Sequence, residues 1–406
     1  MRISDRMLFN SIVDQMQRQT ESLFKLQEQV STGKQVNRPS DDPTGETQIL
    51  SYQNAIGGAD QYLRNINQAD SYLTASESPL QSVQDQLIRA KELAIQMANA
   101  TYSATDRADA AKEVRQIYDQ LIALGNTAYN GQYVFAGEKV STLPFVRQGG
   151  YIGTAVVLPA TITAGVNDGL TISVDGVSTT LTLPAGANAT GAQLAGMVQT
   201  AINGDPTFVS AGISVTASFD TNTNNLVVTS NAVGGTSAVV PTGGTALATL
   251  GLAAGTSRPA GTYLGDSAEI SVQMNSNATV VKNIPGDRLF KGVPGGTDLF
   301  AAVGGLQLAL ETNNMVGIQA SLTALGSAGD QISNEEALLG ARLNRTEATA
   351  SMVNDLKQTL TKLKSEREDV DITRAISELS VQQTALQTTR AAAAKIIQQS
   401  LLDFLR

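Results

Sequence analysis

Residues 371–406 read DITRAISELSVQQTALQTTRAAAAKIIQQSLLDFLR. Within this stretch Ile372, Ile376, Leu379, Leu386, Ala393, Ile397 and Phe404 fall on one seam of alternating three- and four-residue steps, with Leu401 beside it. That spacing is a heptad pattern, by which one helix lays an apolar stripe along another. Gln383, Arg390 and Ser400 also occupy seam positions, so the stripe is interrupted. At about 1.5 Å per residue the helix extends for about 54 Å, too long to bury its stripe against itself. It requires a partner helix, in this chain or in another copy.

The other end of the sequence supplies the first candidate. Ile12, Met16, Gln19, Leu23, Leu26 and Val30 repeat the seam, and Gly33 stands where a helix C-cap glycine belongs. Termini are ordinarily the least structured part of a domain. A chain that places its clearest heptads there is expected to use them for assembly, with the two terminal helices packing on other copies rather than within the monomer.

Composition narrows the function. The chain has 406 residues, enough for two or three domains, and a net charge of −9. This balance argues against a nucleic acid or an anionic membrane as the main partner. The sequence contains no Cys and no His. Thiol nucleophiles, Ser-His-Asp triads, HExxH sites and imidazole or thiolate zinc sites are therefore excluded. No apolar run reaches 18 residues, so no transmembrane helix is predicted. The N-terminus lacks the apolar core of a secretory signal, which predicts a cytoplasmic protein or export without a cleaved signal.

Between the terminal helices the period changes twice. Pro39-Ser40-Asp41-Asp42-Pro43 reads as a turn whose acids cap the next helix rather than hold a metal. That helix is expected over about 44–98, with a kink or restart at Pro79. A further helix carries Ala110, Val114, Ile117, Leu121 and Leu124 in step, making an antiparallel pair. Asn130-Gly131 is a turn, and residues 132–137 read as a strand. Up to Ile284 the chain is rich in Gly, Thr, Ser and Val, with hairpins predicted around Asp175-Gly176 and between Phe219 and Leu226. Residues 220–225 resemble the start of a calcium loop, but the sixth position is not glycine and the twelfth is Asn231, so a plain turn is expected. Helix returns near Asp298 and again over about 330–364, where Ile332, Leu339, Leu343, Thr346, Ala350, Val353, Leu356, Leu360 and Leu363 keep the alternation.

The fold class is thus α+β and multidomain: a long helical coiled-coil or bundle rod built from the two arms, with an inserted β-rich domain. The expected division is 1–43 (N-terminal assembly helix and turn), 44–139 (N-terminal arm), 140–292 (β-rich insert), 293–365 (C-terminal arm) and 366–406 (C-terminal assembly helix). The assembly-interface residues are Ile12, Met16, Leu23, Leu26, Val30, Ile372, Ile376, Leu379, Leu386, Ile397, Leu401 and Phe404. No catalytic, cofactor or metal residue is assigned.

Met1-Arg2-Ile3-Ser4, Val30-Ser31-Thr32-Gly33-Lys34 and the Ser-Asp-Asp-Pro core of residues 37–45 resemble the N-terminus of the flagellin superfamily. Residues 130–137, followed by Pro144-Phe145, resemble the end of that family's N-terminal helical region. Glu368-Asp369-Val370-Asp371-Ile372 and the ending Ser400-Leu401-Leu402-Asp403-Phe404-Leu405 resemble its C-terminus. Tyr263-Leu264-Gly265-Asp266 and Ile284-Pro285-Gly286-Asp287 look like the hook–filament junction branch. The resemblance implies a structural subunit without catalysis or cofactor. Its implied partners are further copies in a ring, hook-associated protein 1, flagellin and a flagellar export chaperone, with no nucleic acid or membrane. It also implies export through the flagellar type III channel, for which a chain without cysteine is suited. Two other readings compete: a short flagellin that forms the filament itself, and a secreted adhesin whose β domain binds a ligand. The sparse aromatics count against a sugar-binding platform.

Overall fold

Long helices from both ends of the sequence flank a β-rich region. The computed structural model describes residues 2–404, and the side chains of Met7 and of residues 10–394. In chain order the elements begin with α1 (Arg2–Thr32), α2 (Pro43–Met97) and α3 (Ala104–Gly125). The strands β1 (Ala128–Tyr129), β2 (Gln132–Tyr133), β3 (Gly150–Ala155), β4 (Ala160–Ile162), β5 (Gly169–Val174), β6 (Val177–Thr182) and β7 (Gly186–Asn188) follow. Then come α4 (Gly191–Asn203), α5 (Pro206–Ser210), β8 (Val215–Asp220), β9 (Asn225–Ser230), β10 (Val239–Gly243), β11 (Thr256–Arg258), β12 (Ser271–Gln273) and β13 (Thr279–Val281). The chain closes with α6 (Gly286–Phe290), α7 (Leu299–Glu311), α8 (Met315–Glu368) and α9 (Ile372–Phe404). It divides into two compact units, residues 66–347 and residues 1–65 with 348–406, and the division falls inside α2 and α8.

In the 66–347 unit the helices bury a continuous core. Leu73, Leu80, Val83, Val114, Leu121, Val303, Leu306 and Ile332 are all fully enclosed. The restart expected at Pro79 does not occur, since α2 runs through it. A helix-interior proline costs about 3 kcal/mol through its missing amide. Burial of Leu73, Leu80 and Val83 on both sides of it outweighs that loss. Likewise α8 begins at Met315, well before the expected start, after a turn in which Asn313 takes a positive φ of 55°. Buried Arg107 ties that turn to the end of α2: it donates to the Met97 and Asn99 carbonyls at 3.0 Å each and to Asn313 Oδ1 at 2.5 Å. The last carbonyls of a helix lack intrahelical donors, and Arg107 supplies them.

An aromatic knot links the helices to the β-rich segments. The Phe145 ring lies 4.9 Å from the rings of both Phe290 and Phe300, and Phe135 lies 5.5 Å from Phe290. Residues 134–136, expected as strand, are instead fully buried; Val134 N donates to the nearby Thr127 carbonyl, and the next two carbonyls go to distant segments. The Phe135 carbonyl accepts from Gly286 N at 2.8 Å, and Ala136 accepts from Asp266 N at 3.1 Å. The Tyr263 hydroxyl sits 2.9 Å from the Phe135 carbonyl and 2.8 Å from that of Asp266. Burial pushes its pKa well above the usual phenol range, so it remains a donor. A Cβ at Gly286 would meet the Phe135 carbonyl oxygen at 2.7 Å, which is why glycine stands there.

The β-rich part has its own core. Leu170, Ile172 and Val174 alternate inward from β5 against Leu194, Val198 and Ile202 of α4, all fully buried. Its two larger sheets are antiparallel, in the orders β10-β5-β6 and β11-β3-β9-β8. The predicted hairpins are present. Asp175 and Gly176 take positive φ of 51° and 85° between β5 and β6, and Asn224 (56°) turns β8 into β9. In the segment resembling a calcium loop, Asp220 accepts from Asn222 N at 2.9 Å and from the Thr223 hydroxyl at 2.7 Å, an ordinary turn.

Phe145→Ala removes the centre of the aromatic knot and is expected to cost about 3–5 kcal/mol. A calorimetric scan should show a large fall in the melting temperature of this unit, and an unchanged scan would remove the knot from the account.

Candidate assembly interface

The unit of residues 1–65 and 348–406 is built differently. Helices α1 and α9 pack on each other, so the terminal helices have a partner inside the chain. The expectation that they lack one is corrected, and the reason lies at the joint between them. Gly33 ends α1 with a φ of 72°, and the strand-like segment that follows lies against the α8–α9 connection. Gln35 N donates to the Glu368 carbonyl at 2.7 Å, and Val370 N donates to the Gly33 carbonyl at 2.9 Å. Lys34 Nζ meets Glu368 Oε1 at 2.5 Å, and Lys364 Nζ meets Oε2 at 3.2 Å. The Glu368 side chain is 8 % exposed. Burial alone would raise its pKa, but the two lysines overcome this and hold it below the usual carboxylate range. The hydrogen bond to Glu368 raises Lys34 in turn.

The preceding turn is held in the same way. Asp41 accepts from the backbone N–H of Asn37 (3.3 Å) and Arg38 (3.1 Å) and pairs with Lys25 at 3.2 Å. Asp42 caps α2 by accepting from Thr44 N at 3.1 Å. Asp42 thus caps the helix as expected, whereas Asp41 holds the turn before it rather than capping. Among the described residues no group of His, Cys, Asp and Glu could hold a metal, and no helix is long and apolar enough to cross a membrane.

The α1 seam lies where its spacing places it, with Ile12, Met16, Leu23, Leu26 and Val30 each half-buried. The α9 seam is shifted. Ala375, Leu379, Gln382, Leu386, Thr389 and Ala393 are covered or half-covered in a run of four- and three-residue steps, with Ala385 half-covered beside them. Leu379, Leu386 and Ala393 belong to the predicted stripe. Ile372 and Ile376 do not enter the pair, and each is 51 % exposed, while Gln383 and Arg390 face outward with them. Small or polar Ala375, Gln382 and Thr389 turn inward in their place, and the Thr389 hydroxyl donates to the Ala385 carbonyl at 2.8 Å. Ile397, Leu401 and Phe404 belong to α9, but their side chains lie outside the described residues.

Apolar side chains are therefore left open on both sides of the pair. Phe24 on α1 is 64 % exposed and Val381 on α9 is 68 % exposed, together with Ile372 and Ile376. Beside Val381 runs a groove of about 470 Å³ between the two helices, lined by Ser22, Lys25, Leu26, Gln29, Ser377, Glu378 and Gln382. In the same unit Met352 and Leu356 of α8 are more than half exposed. Among the described residues, the enclosed cores of the other unit have no counterpart here. Sequence periodicity found the helices but not the clasp, since Lys34 and Glu368 are brought together only by the fold.

Residues 3–140 match the bacterial flagellin N-terminal helical region, and residues 322–405 match the bacterial flagellin C-terminal helical region. Flagellar hook-associated protein 3 of Salmonella typhimurium is 37% identical over 155 residues, covering 38% of this chain and 49% of the relative. The flagellar filament 41 kDa core protein of Borreliella burgdorferi is 34% identical over 121 residues, 30% of this chain and 36% of the relative. The matches span about half the length of the first relative and less of the second. Among solved structures, FlgL of Bacillus cereus superposes with a TM-score of 0.44 at 15% identity, covering 78% of this chain and 99% of that one.

Glu368→Gln keeps the shape of the clasp and removes its charge. It is expected to cost about 1–3 kcal/mol locally and to admit protease between α1 and α9 earlier than in the parent chain. Because the folded pKa of Glu368 is depressed, its contribution is present above the usual carboxylate range and is lost as pH falls through the folded value. Lys34, raised in the fold, loses its contribution only at strongly alkaline pH. Proteolysis across pH should show a neutral plateau and a loss of resistance below about pH 4. An equal profile for the Gln variant would discard the clasp.

Proposed function

The chain belongs to the flagellin superfamily, and on that premise we propose that it is a structural subunit of the bacterial flagellum. Its place is the junction between hook and filament, as the name of its hook-associated relative suggests for a protein of that type. The carrying observation is the set of open apolar side chains on the α1–α9 pair, Phe24, Ile372, Ile376 and Val381, set against a second unit with two enclosed cores. A two-helix pair cannot enclose both sides of its stripes. Neighbouring helices from other subunits would bury what remains, and each side chain so enclosed contributes roughly 1.5–3 kcal/mol.

The assembly residues in this reading are Ile12, Met16, Leu23, Leu26, Val30, Ile372, Ile376, Leu379, Leu386, Ile397, Leu401 and Phe404. Those already half-covered hold the pair in register, and the exposed ones meet neighbours. The partners are further copies in a ring, hook-associated protein 1 on one side and flagellin on the other. An export chaperone would shield the same helices, and the chain would leave through the flagellar channel without a cleaved signal. The role is architectural, with no catalytic step.

The filament core protein among the relatives keeps a second reading in view, in which the chain polymerises into the filament. Purified chain placed under conditions that polymerise flagellin separates the two. The junction reading expects limited rings or short stacks by electron microscopy, and Val381→Asp should weaken even these. Filaments of indefinite length from the chain alone would favour the filament reading.

A further inference from the structure

A sheet edge presents unpaired amides and carbonyls, and folded chains usually blunt such edges. Within the 66–347 unit the edges of the two larger sheets are treated unequally. β8 is plugged from α4: the Asn203 side chain accepts from Val215 N at 2.7 Å and donates to its carbonyl at 2.9 Å, and Gln199 accepts from Ala217 N at 3.0 Å. β10 carries Pro241 and a register break between Pro241 and Gly243. β11 is three residues long and carries Arg258. β6, by contrast, reads Val-Ser-Thr-Thr-Leu-Thr, with no charge, proline or glycine.

The register of β6 shows which of its groups are free. The two-residue turn closes on the pair Val174↔Val177, so the hydrogen-bonded pairs with β5 fall at Val177, Thr179 and Leu181. The amides and carbonyls of Ser178, Thr180 and Thr182 therefore point away from β5. All three residues are exposed, and among the described residues no hydrogen bond reaches those groups.

We propose that this edge is a self-association site that receives the β6 edge of a second copy, antiparallel about a two-fold axis at Thr180. In that register Thr180 meets Thr180 of the second copy, and Ser178 meets its Thr182. Every outward group on both strands is then used, giving about six backbone hydrogen bonds and an isologous contact. Charge favours a copy as the occupant. The chain carries a net charge of −9, yet between Gly176 and Ser257 its only charged residues are Asp205 and Asp220. Two acidic molecules meet here with the least repulsion. The hydroxyls now facing outward also extend the cross-strand contact already made by Thr171 and Thr180 at 2.9 Å. The contact is independent of the terminal helices.

The chain has no cysteine, so Thr180→Cys introduces a single thiol. Facing residues in such a pair stand about 5.5 Å apart between Cα atoms, within reach of a disulfide. Under mild oxidation of the full chain, Thr180→Cys is expected to form a linked dimer about tenfold faster than Thr207→Cys, on the exposed face of α5. Equal rates would overturn the proposal. Sedimentation of Thr180→Lys and of Thr180→Glu should each show dimerisation weakened about fivefold, because like charges then stand opposed, with recovery in an equimolar mixture. Unchanged association in both variants would also overturn it. Association through the terminal helices is common to all these variants and cancels from the comparison.

Discussion

The short antiparallel bridge between residues 33–35 and 368–370 fixes the terminal unit. Two backbone hydrogen bonds and the Lys34–Glu368 pair bring together segments more than three hundred residues apart in sequence. Without it α1 and α9 would be two isolated amphipathic helices, whose stability in water depends on tertiary packing. With it they lie as a pair from their first shared turn. The electrostatics are strong for their position, because a nearly enclosed carboxylate receives two ammonium groups where water cannot screen it fully.

That constraint sets the division of labour in the molecule. The 66–347 unit builds two enclosed apolar cores and knots its aromatic rings together, while single residues such as Val157 and Val316 remain exposed. The terminal unit leaves Phe24, Ile372, Ile376 and Val381 largely in water. A helix pair that leaves such side chains in water, with no enclosed cluster of its own among the described residues, has surface reserved for association, since exposed apolar patches mark interaction sites. Gln383 and Arg390 share the exposed side of α9 with Ile372 and Ile376 and temper it, which favours solubility before assembly.

Much of this was legible in the sequence. The 3.5-residue spacing located α1, α2, α3 and α9, and Asp175-Gly176 and Asn130-Gly131 marked turns that do adopt positive φ. The flagellin resemblance rested on short motifs whose residues now have physical roles. Gly33 ends α1, Asp41 and Asp42 hold the turn, and Tyr263 and Gly286 line the aromatic knot. What was not legible depends on tertiary contact. Pro79 broke the local pattern, yet packing on both sides carries the helix through it. Residues 132–137 have strand-like character, but the Phe135 and Ala136 carbonyls bond to partners over a hundred residues away. On α9 the stripe read as one seam, whereas the α1 partner selects Ala375, Gln382 and Thr389 over Ile372 and Ile376. Periodicity gives the width of a stripe, and only the partner decides which edge of it is covered.

The central claim is that the open apolar side chains of the α1–α9 pair are where neighbouring subunits pack. Hydrogen exchange on the free chain and on the chain assembled with its partners tests it most directly. Amides over residues 20–30 and 372–386 should gain strong protection on assembly while those of the 66–347 core stay as they are. Unchanged exchange along both terminal helices would contradict the account.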